Sequence, residues 1–133
     1  MARFTIIAIL LLVFLTSCSK EEGEGGDSVI KGKVFVHLYD KTGSILLDQF
    51  YAPEEDVYII YGNDEIYSDR FRTNFDGGYR FKYLRQGEYT VFAYSEDIGG
   101  GEPFRLVAVK KTVKITENDQ QVTVEDIVVN RTD

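Results

Sequence analysis

The segment TNFDGGYRF, residues 73–81, contains the strongest fold signal in this 133-residue chain. Asp76-Gly77 is a tight-turn dipeptide, because glycine adopts a positive φ angle at little steric cost. After the turn, Tyr79 and Phe81 alternate with Arg80, which is the period-two pattern of a strand with one buried face. The segment therefore predicts a β-hairpin whose second strand contributes aromatic side chains to a core.

The same pattern continues beyond the hairpin. Leu84 closes the strand, Gly87 allows a sharp reversal, and Tyr89, Val91 and Ala93 then share one face of the next strand. A tyrosine just after such a reversal fits a tyrosine corner, in which the phenolic hydroxyl bonds to backbone a few residues upstream. We therefore expect Tyr89 to pin the crossover between two sheets.

Short strands separated by turn signals account for most of the remaining chain. Residues 30–38 alternate aliphatic with mostly polar side chains, residues 57–61 suit a central strand, and residues 66–73 suit a charged, peripheral one. Residues 104–115 are expected to be buried on both faces. Residues 121–130 change phase, which predicts a bulge near their middle, at Glu125-Asp126. Seven or eight such strands predict an all-β, Greek-key β-sandwich.

The spacing from Thr73 to Ala93 also resembles a known family motif, T-x-x-D-G-x-Y-x-F-x-x-L-x-x-G-x-Y-x-V-x-A. It is similar to the carboxypeptidase regulatory-like and transthyretin-like (prealbumin-like) sandwich domains of exported bacterial proteins. The resemblance covers most of residues 29–130 and implies that the motif residues are scaffold rather than a functional site. Some other β-sandwich is the alternative.

The beginning of the chain has the pattern of a secretory signal. Arg3 precedes an unbroken apolar run at residues 5–15, and small residues follow it. The run is shorter than the roughly 20 apolar residues that span a bilayer. Leu15-Thr16-Ser17-Cys18 resembles the lipobox of bacterial lipoproteins, which implies cleavage after Ser17, a diacylglyceryl group on Cys18 and a further acyl chain such as palmitate on the new amine. An ordinary signal peptide followed by a free cysteine is the alternative.

The segment after the cleavage site is polar, acidic and rich in glycine. It predicts three regions: a signal peptide (1–17), a lipidated Cys18 with a flexible acidic tether (18–28), and a β-sandwich domain (29–133). Lys20-Glu21-Glu22 resembles a lipoprotein export signal of some Gram-negative bacteria. That resemblance implies an outer-membrane lipoprotein whose domain faces the cell exterior, and a generic solvated linker is the alternative.

Charge narrows the range of partners. The whole chain has a net charge of −7, and without residues 1–17 it has 14 basic and 22 acidic residues, a net charge of −8. An acidic balance argues against nucleic acid and against anionic lipid bound through a basic patch. The expected partners are the membrane, through the lipid on Cys18, and an envelope protein or a glycan.

Residues for catalysis or metal binding are sparse. His37 is the chain's single histidine and is expected to lie on an exposed strand face, so no nucleophile–base set can be assembled. Carboxylates cluster in turns at residues 54–56 and 63–65 without the alternating spacing of a calcium loop. We therefore predict no enzyme, no cofactor and no metal site.

Three aromatic residues are the candidates for binding. Phe92 and Tyr94 lie opposite the inward set of their strand, and Tyr58 is a candidate neighbour. Exposed aromatic rings stack on sugars or anchor protein partners. The alternative is that this face is covered by the glycine-rich loop at residues 95–103. The functional prediction is a non-enzymatic binding, adhesion or assembly module, and the alternative is a structural accessory subunit of a larger envelope complex.

Overall fold

The computed structural model describes residues 21–133, which fold as two β-sheets packed face to face. This confirms the prediction of an all-β sandwich. The elements are β1 (Glu24–Tyr39), β2 (Leu46–Tyr51), β3 (Asp56–Tyr61), β4 (Asp69–Arg72), β5 (Gly78–Leu84), β6 (Gly87–Glu96), a 3₁₀ turn (Ile98–Gly100), β7 (Leu106–Ile115), β8 (Gln121–Thr123) and β9 (Ile127–Thr132).

The first sheet is built around the long strand β1. The first half of β1 pairs antiparallel with β5 on one side and parallel with β8 on the other, and its second half pairs likewise with β2 and β9. Val34 stands where the halves meet, since its N–H donates to the Gly77 carbonyl and its carbonyl accepts from the Ala52 N–H, both at 3.0 Å. β5 and β2 thus lie end to end along one side of β1, and β8 and β9 along the other.

The break between β8 and β9 matches the change of phase seen in the sequence. Ile30 of β1 pairs with Val122 of β8, and Val34 of β1 pairs with Ile127 of β9. The segment from β8 to β9 therefore has one more residue between these two pairs than β1 has. The extra residue lets Val122 and Ile127 both face the core. The predicted bulge takes the form of a break between two short strands, which raises the strand count to nine.

The second sheet has the order β4-β3-β6-β7. β3 is an inner strand and β4 an edge strand, as the sequence predicted for these segments. β7 differs from the prediction, because Leu106 and Val107 at its start are exposed and only Val113 and Ile115 at its end are buried. The reason is its position, since β7 is the last strand of its sheet and pairs with β6 alone.

The core lies between the two sheets and follows the period-two alternation of each strand. Tyr79, Phe81 and Leu84 enter it from β5, as the alternation predicted. The predicted hairpin at Asp76-Gly77 is wrong, because β4 pairs with β3 in one sheet and β5 pairs with β1 in the other, so the turn connects the two sheets. The other large members are aliphatic or aromatic side chains of β1, β3, β6, β7 and β9: Ile30, Val34, Val36, Val57, Ile59, Tyr89, Val91, Val113, Ile115, Ile127 and Val129.

Tyr89 forms the predicted tyrosine corner. Its side chain is 1% exposed. Its hydroxyl donates a 2.7 Å hydrogen bond to the Arg85 carbonyl and accepts one of 3.0 Å from the Gly23 N–H. The corner therefore joins the β5–β6 reversal to the segment that precedes β1.

The tether is shorter than predicted, because β1 begins at Glu24, within the segment assigned to it (18–28). The Arg85 N–H donates to the Gly23 carbonyl at 2.9 Å, and Glu24 pairs with Leu84. Gly26 packs so closely that an added Cβ would lie 2.2 Å from the Leu84 carbonyl oxygen. Backbone hydrogen bonds and close packing, rather than apolar side chains, hold residues 24–28 in the domain. Linker-like composition therefore misplaced the domain boundary.

Candidate binding surface

The three predicted binding residues come together on the outer face of the second sheet. Tyr58 of β3 pairs directly with Phe92 of β6. Their ring centroids are 5.1 Å apart at an interplanar angle of 19°, which is a stacked arrangement. Tyr94 meets both rings edge-on, at 5.6 Å from Tyr58 and 5.5 Å from Phe92. The structure thus brings together residues that are more than 30 positions apart in the chain.

Strand alternation places these rings outside the core. On β3, Val57 and Ile59 are buried between the sheets, so Tyr58 projects from the opposite face. On β6, Val91 and Ala93 are buried, so the side chains on either side of them in sequence project outward together.

Phe92 does not have the exposure that a contact residue needs. Its side chain is only 5% exposed, because Tyr58 stacks on it and Tyr94 packs against its edge. Its assignment as a ligand-contacting residue is therefore corrected to a supporting one. Tyr94, in contrast, is 41% exposed.

Tyr67 is a fourth member of the cluster, and the sequence interpretation missed it. Its ring centroid lies 4.7 Å from that of Tyr58, and its side chain is 50% exposed. The sequence placed it in a strand at residues 66–73, but β4 begins only at Asp69, so Tyr67 lies in the segment between β3 and β4. We call Tyr58, Tyr67, Phe92 and Tyr94 the aromatic platform.

Small and charged residues border the aromatic platform. Ala108 of β7 pairs with Tyr94, so a small side chain stands next to the exposed tyrosine ring. Lys110 pairs with Phe92, and Arg70 of β4 pairs with Tyr58. The surface is therefore an aromatic centre with a cationic residue on each neighbouring strand.

The loop at residues 95–103 does not cover the platform's exposed rings, as the alternative interpretation required. Ile98 and the following Phe104 instead pack against Gly43 in the β1–β2 turn, where an added Cβ would lie 2.8 Å from each side chain. The loop therefore covers the end of the sandwich at which β1 finishes.

His37 lies on the outer face of the first sheet, where it pairs with Gln49 and Asn130. Its ring packs edge-on against Phe35 at 5.5 Å and is half-buried, less exposed than the sequence suggested. Across residues 21–133, no three His, Cys, Asp or Glu side chains converge as metal ligands would.

The predicted lipidation site, Cys18, and the predicted signal peptide lie outside the described residues. Within residues 21–133, no helix is long and apolar enough to cross a membrane.

Comparison with known proteins leaves the function open. No protein-family model matches the chain, and no curated protein matches it. Solved structures similar to this chain include the crystal structure of a "putative carbohydrate binding protein" from Pseudomonas aeruginosa. That chain is 14% identical, with a TM-score of 0.49, and the match covers 82% of this chain and 91% of the other. The similarity is too distant to assign a ligand to this chain.

Proposed function

We propose that this chain is a lipid-anchored lipoprotein of the cell envelope whose sandwich domain binds a glycan, without catalysis, on the aromatic platform. The observation that carries the proposal is the pair of exposed tyrosine rings, Tyr67 and Tyr94, held against the Tyr58–Phe92 stack.

The buried stack makes the platform rigid. Phe92 is packed on both its face and its edge, so the rings above it lose little conformational entropy when a ligand binds. Tyrosine offers an apolar ring face and a polar hydroxyl, which suits the apolar faces and hydroxyl groups of a sugar. Arg70 and Lys110 on the flanks supply hydrogen-bond donors for those hydroxyls.

A platform on the outer face of a sheet suits a polymer that lies across it better than a small molecule that needs enclosure. The proposed ligand is therefore an extended polysaccharide that covers Tyr67 and Tyr94 together.

The proposed anchor is lipid on Cys18, at the outer membrane with the domain facing the cell exterior. It is supported by the lipobox-like sequence. Gly23, whose N–H donates to the Tyr89 hydroxyl, is the fifth residue after Cys18, and a chain of that length reaches at most about 18 Å. A domain on this spacer would remain next to the envelope surface and its glycans.

Glycan binding is tested with the full-length protein, purified in detergent, on an array of uncharged bacterial and plant polysaccharides. The Tyr67→Ala/Tyr94→Ala variant should bind its best ligand at least about tenfold more weakly, since two stacking contacts are lost. Phe75→Ala is the matched control, because Phe75 is an exposed aromatic residue in the β4–β5 turn. The proposal fails if no polysaccharide binds or if the double variant binds as tightly as the parent.

The anchor is tested by membrane fractionation of cells that express Cys18→Ala. This variant should leave the membrane fraction or accumulate unprocessed, whereas Ser19→Ala should fractionate like the parent. Equal membrane association of all three proteins would refute the lipid anchor without affecting the glycan proposal.

A structural accessory subunit is the second candidate function, and one observation favours it. Ile45, Leu46 and Leu47, at the start of edge strand β2, are exposed apolar side chains. Apolar surface on an unpaired strand edge is suited to a protein partner. Stoichiometric recovery of an envelope protein that is lost with Leu46→Asp/Leu47→Asp, together with a blank glycan array, would favour this alternative.

A further inference from the structure

The outer face of the first sheet carries a group of four basic side chains. Lys31 of β1 pairs directly with Arg80 of β5. The neighbouring pair, Ile30 and Phe81, is buried, so Lys31 and Arg80 project from the opposite face. Lys33 and Lys82, each two residues further along its strand, share that face. We call Lys31, Lys33, Arg80 and Lys82 the basic face.

The basic face is unusual in a chain whose net charge is −7. Each ion pair found within residues 21–133 involves other cations, namely Arg70, Arg72, Arg105, Lys111 and Arg131. Like charges directly opposite on neighbouring strands destabilise a sheet, so the Lys31–Arg80 pair costs stability in the free protein. An anion bound between the two side chains would remove that repulsion.

A shallow cavity of about 250 Å³ adjoins these cations. Lys31, Lys33 and Arg80 line it together with the polar residues Asn74, Asp76 and Thr123. The Asp76 carboxylate already accepts a 3.0 Å hydrogen bond from the Gly78 N–H within its turn. The cavity therefore combines three cations and one carboxylate, a net positive lining, with the neutral hydrogen-bonding groups of an amide and a hydroxyl.

One of the cations is held in position before any ligand binds. The Lys33 ammonium lies 4.9 Å from the ring centroid of Tyr51, within cation–π distance. The Tyr51 ring is itself fixed, because its hydroxyl donates a 2.8 Å hydrogen bond to Asp126 and Phe35 packs against it at 5.1 Å. A pre-positioned cation lowers the entropic cost of binding an anion.

We infer that the basic face binds an acidic polysaccharide. One carboxylate or sulfate group would enter the cavity between Lys31 and Arg80, and the sugar hydroxyls would bond to Asn74 and Thr123. Residues two apart on a strand are separated by about 7 Å, so Lys33 and Lys82 meet further anionic groups of the same polymer. Charge complementarity selects an anionic ligand. The recess favours a polymer with projecting groups over the plane of a lipid bilayer.

This site is separate from the aromatic platform, which lies on the outer face of the other sheet. The two proposals can therefore be tested independently of each other. The Tyr67→Ala/Tyr94→Ala variant should bind acidic polysaccharide as the parent does.

The test measures binding of the full-length protein in detergent to polygalacturonate and dextran sulfate, with neutral dextran as the reference, over a series of salt concentrations. Lys31→Glu/Arg80→Glu should weaken binding to the acidic polymers at least about tenfold, and the affinity of the parent should fall as salt rises. Lys41→Glu/Lys114→Glu makes the same change in net charge at exposed lysines outside the basic face and should bind within about twofold of the parent.

Two further variants guard against misfolding. Lys31→Gln/Arg80→Gln removes both charges without adding acids and should also lose binding, whereas Lys31→Arg/Arg80→Lys should retain it. Unchanged binding in the charge-removing variants, or an equal loss in the Lys41/Lys114 control, would overturn the inference. Binding to phosphatidylglycerol vesicles that depends on Lys31 and Arg80, with no binding to either acidic polymer, would overturn it in favour of a lipid surface.

Discussion

The hydroxyl of Tyr89 donates a 2.7 Å hydrogen bond to the Arg85 carbonyl, four residues earlier in the chain. The same oxygen accepts a 3.0 Å bond from the N–H of Gly23, which is 66 residues away. A single buried side chain therefore joins the segment before β1 to the crossover between the sheets. The domain begins where this bond is made, five residues after Cys18.

Removing this hydroxyl should destabilise the domain. Tyr89→Phe leaves the Gly23 N–H without its partner in a buried site, which costs about 1–3 kcal/mol in the free energy of unfolding. Urea denaturation followed by circular dichroism measures the change. Tyr94→Phe, at an exposed ring, is the control and should be within about 0.5 kcal/mol of the parent. Equal stability of the two variants would contradict the role assigned to the corner.

Gly26 tests whether residues 24–28 belong to the domain. An alanine Cβ would lie 2.2 Å from the Leu84 carbonyl oxygen, and a backbone atom cannot move aside as a side chain can. Gly26→Ala should therefore lower the free energy of unfolding by about 1–3 kcal/mol. Gly99→Ala, whose Cβ would meet only the Asp97 carboxylate at 3.9 Å, should be close to neutral. A neutral Gly26→Ala would instead support the longer tether.

Thr73, the first residue of the sequence motif, should be sensitive to loss of its hydroxyl. Its Oγ1 donates to the Ala52 carbonyl at 2.7 Å and accepts from the Glu55 N–H at 2.9 Å, in a buried position. Thr73→Val keeps the shape and should lower the free energy of unfolding by about 1–3 kcal/mol, whereas Thr73→Ser should retain most of it. Thermal denaturation of both variants decides the point. Equal losses in the two variants would mean that Thr73 contributes to stability through packing and not through hydrogen bonding.

Stability should fall at alkaline pH because of tyrosine ionisation. Burial, with smaller contributions from Glu24 and Asp69, raises the pKa of Tyr61 from 10.0 to about 12. Burial also raises the pKa of Tyr79 and Tyr89. A group whose pKa is raised by folding contributes its full stability below the unfolded pKa and loses it as pH rises through the folded one. The free energy of unfolding should therefore decline from about pH 10 towards pH 12.

Urea titrations over that pH range measure this slope. Tyr61→Phe removes one ionising group and should make the decline shallower. A pH-independent free energy of unfolding over this range would contradict the raised pKa values of the buried tyrosines.

Much of the fold could be read from local patterns. The turn at Asp76-Gly77, the inward set of β6 and the tyrosine corner depend on residues close together in the chain, so turn chemistry and period-two alternation were enough to predict them. These local patterns wrongly predicted a hairpin at that turn, because they do not show that β4 and β5 pair in different sheets. The start of β1 could not be read this way, because glycines and acids resemble a linker in composition. Only their backbone pairing with Leu84 and Arg85 places them in the domain.

Local sequence patterns likewise predicted only part of the two binding surfaces. The outward direction of Tyr58 and Tyr94 follows from strand alternation. The burial of Phe92 depends on the pairing of β3 with β6, and the position of Tyr67 depends on its contact with Tyr58. The basic face was hidden by the acidic composition of the whole chain. It appears only when β1 and β5 pair so that Lys31 stands opposite Arg80.

Alternation along single strands, turn chemistry and a lipobox-like start are properties of neighbouring residues, and the sequence by itself determined them. The domain boundary, the exposed edge at β7 and the composition of both surfaces were decided by tertiary structure. The physical reason is register, because a strand's own sequence sets which side chains share a face, while the hydrogen-bonded partner strand sets which distant side chains join them.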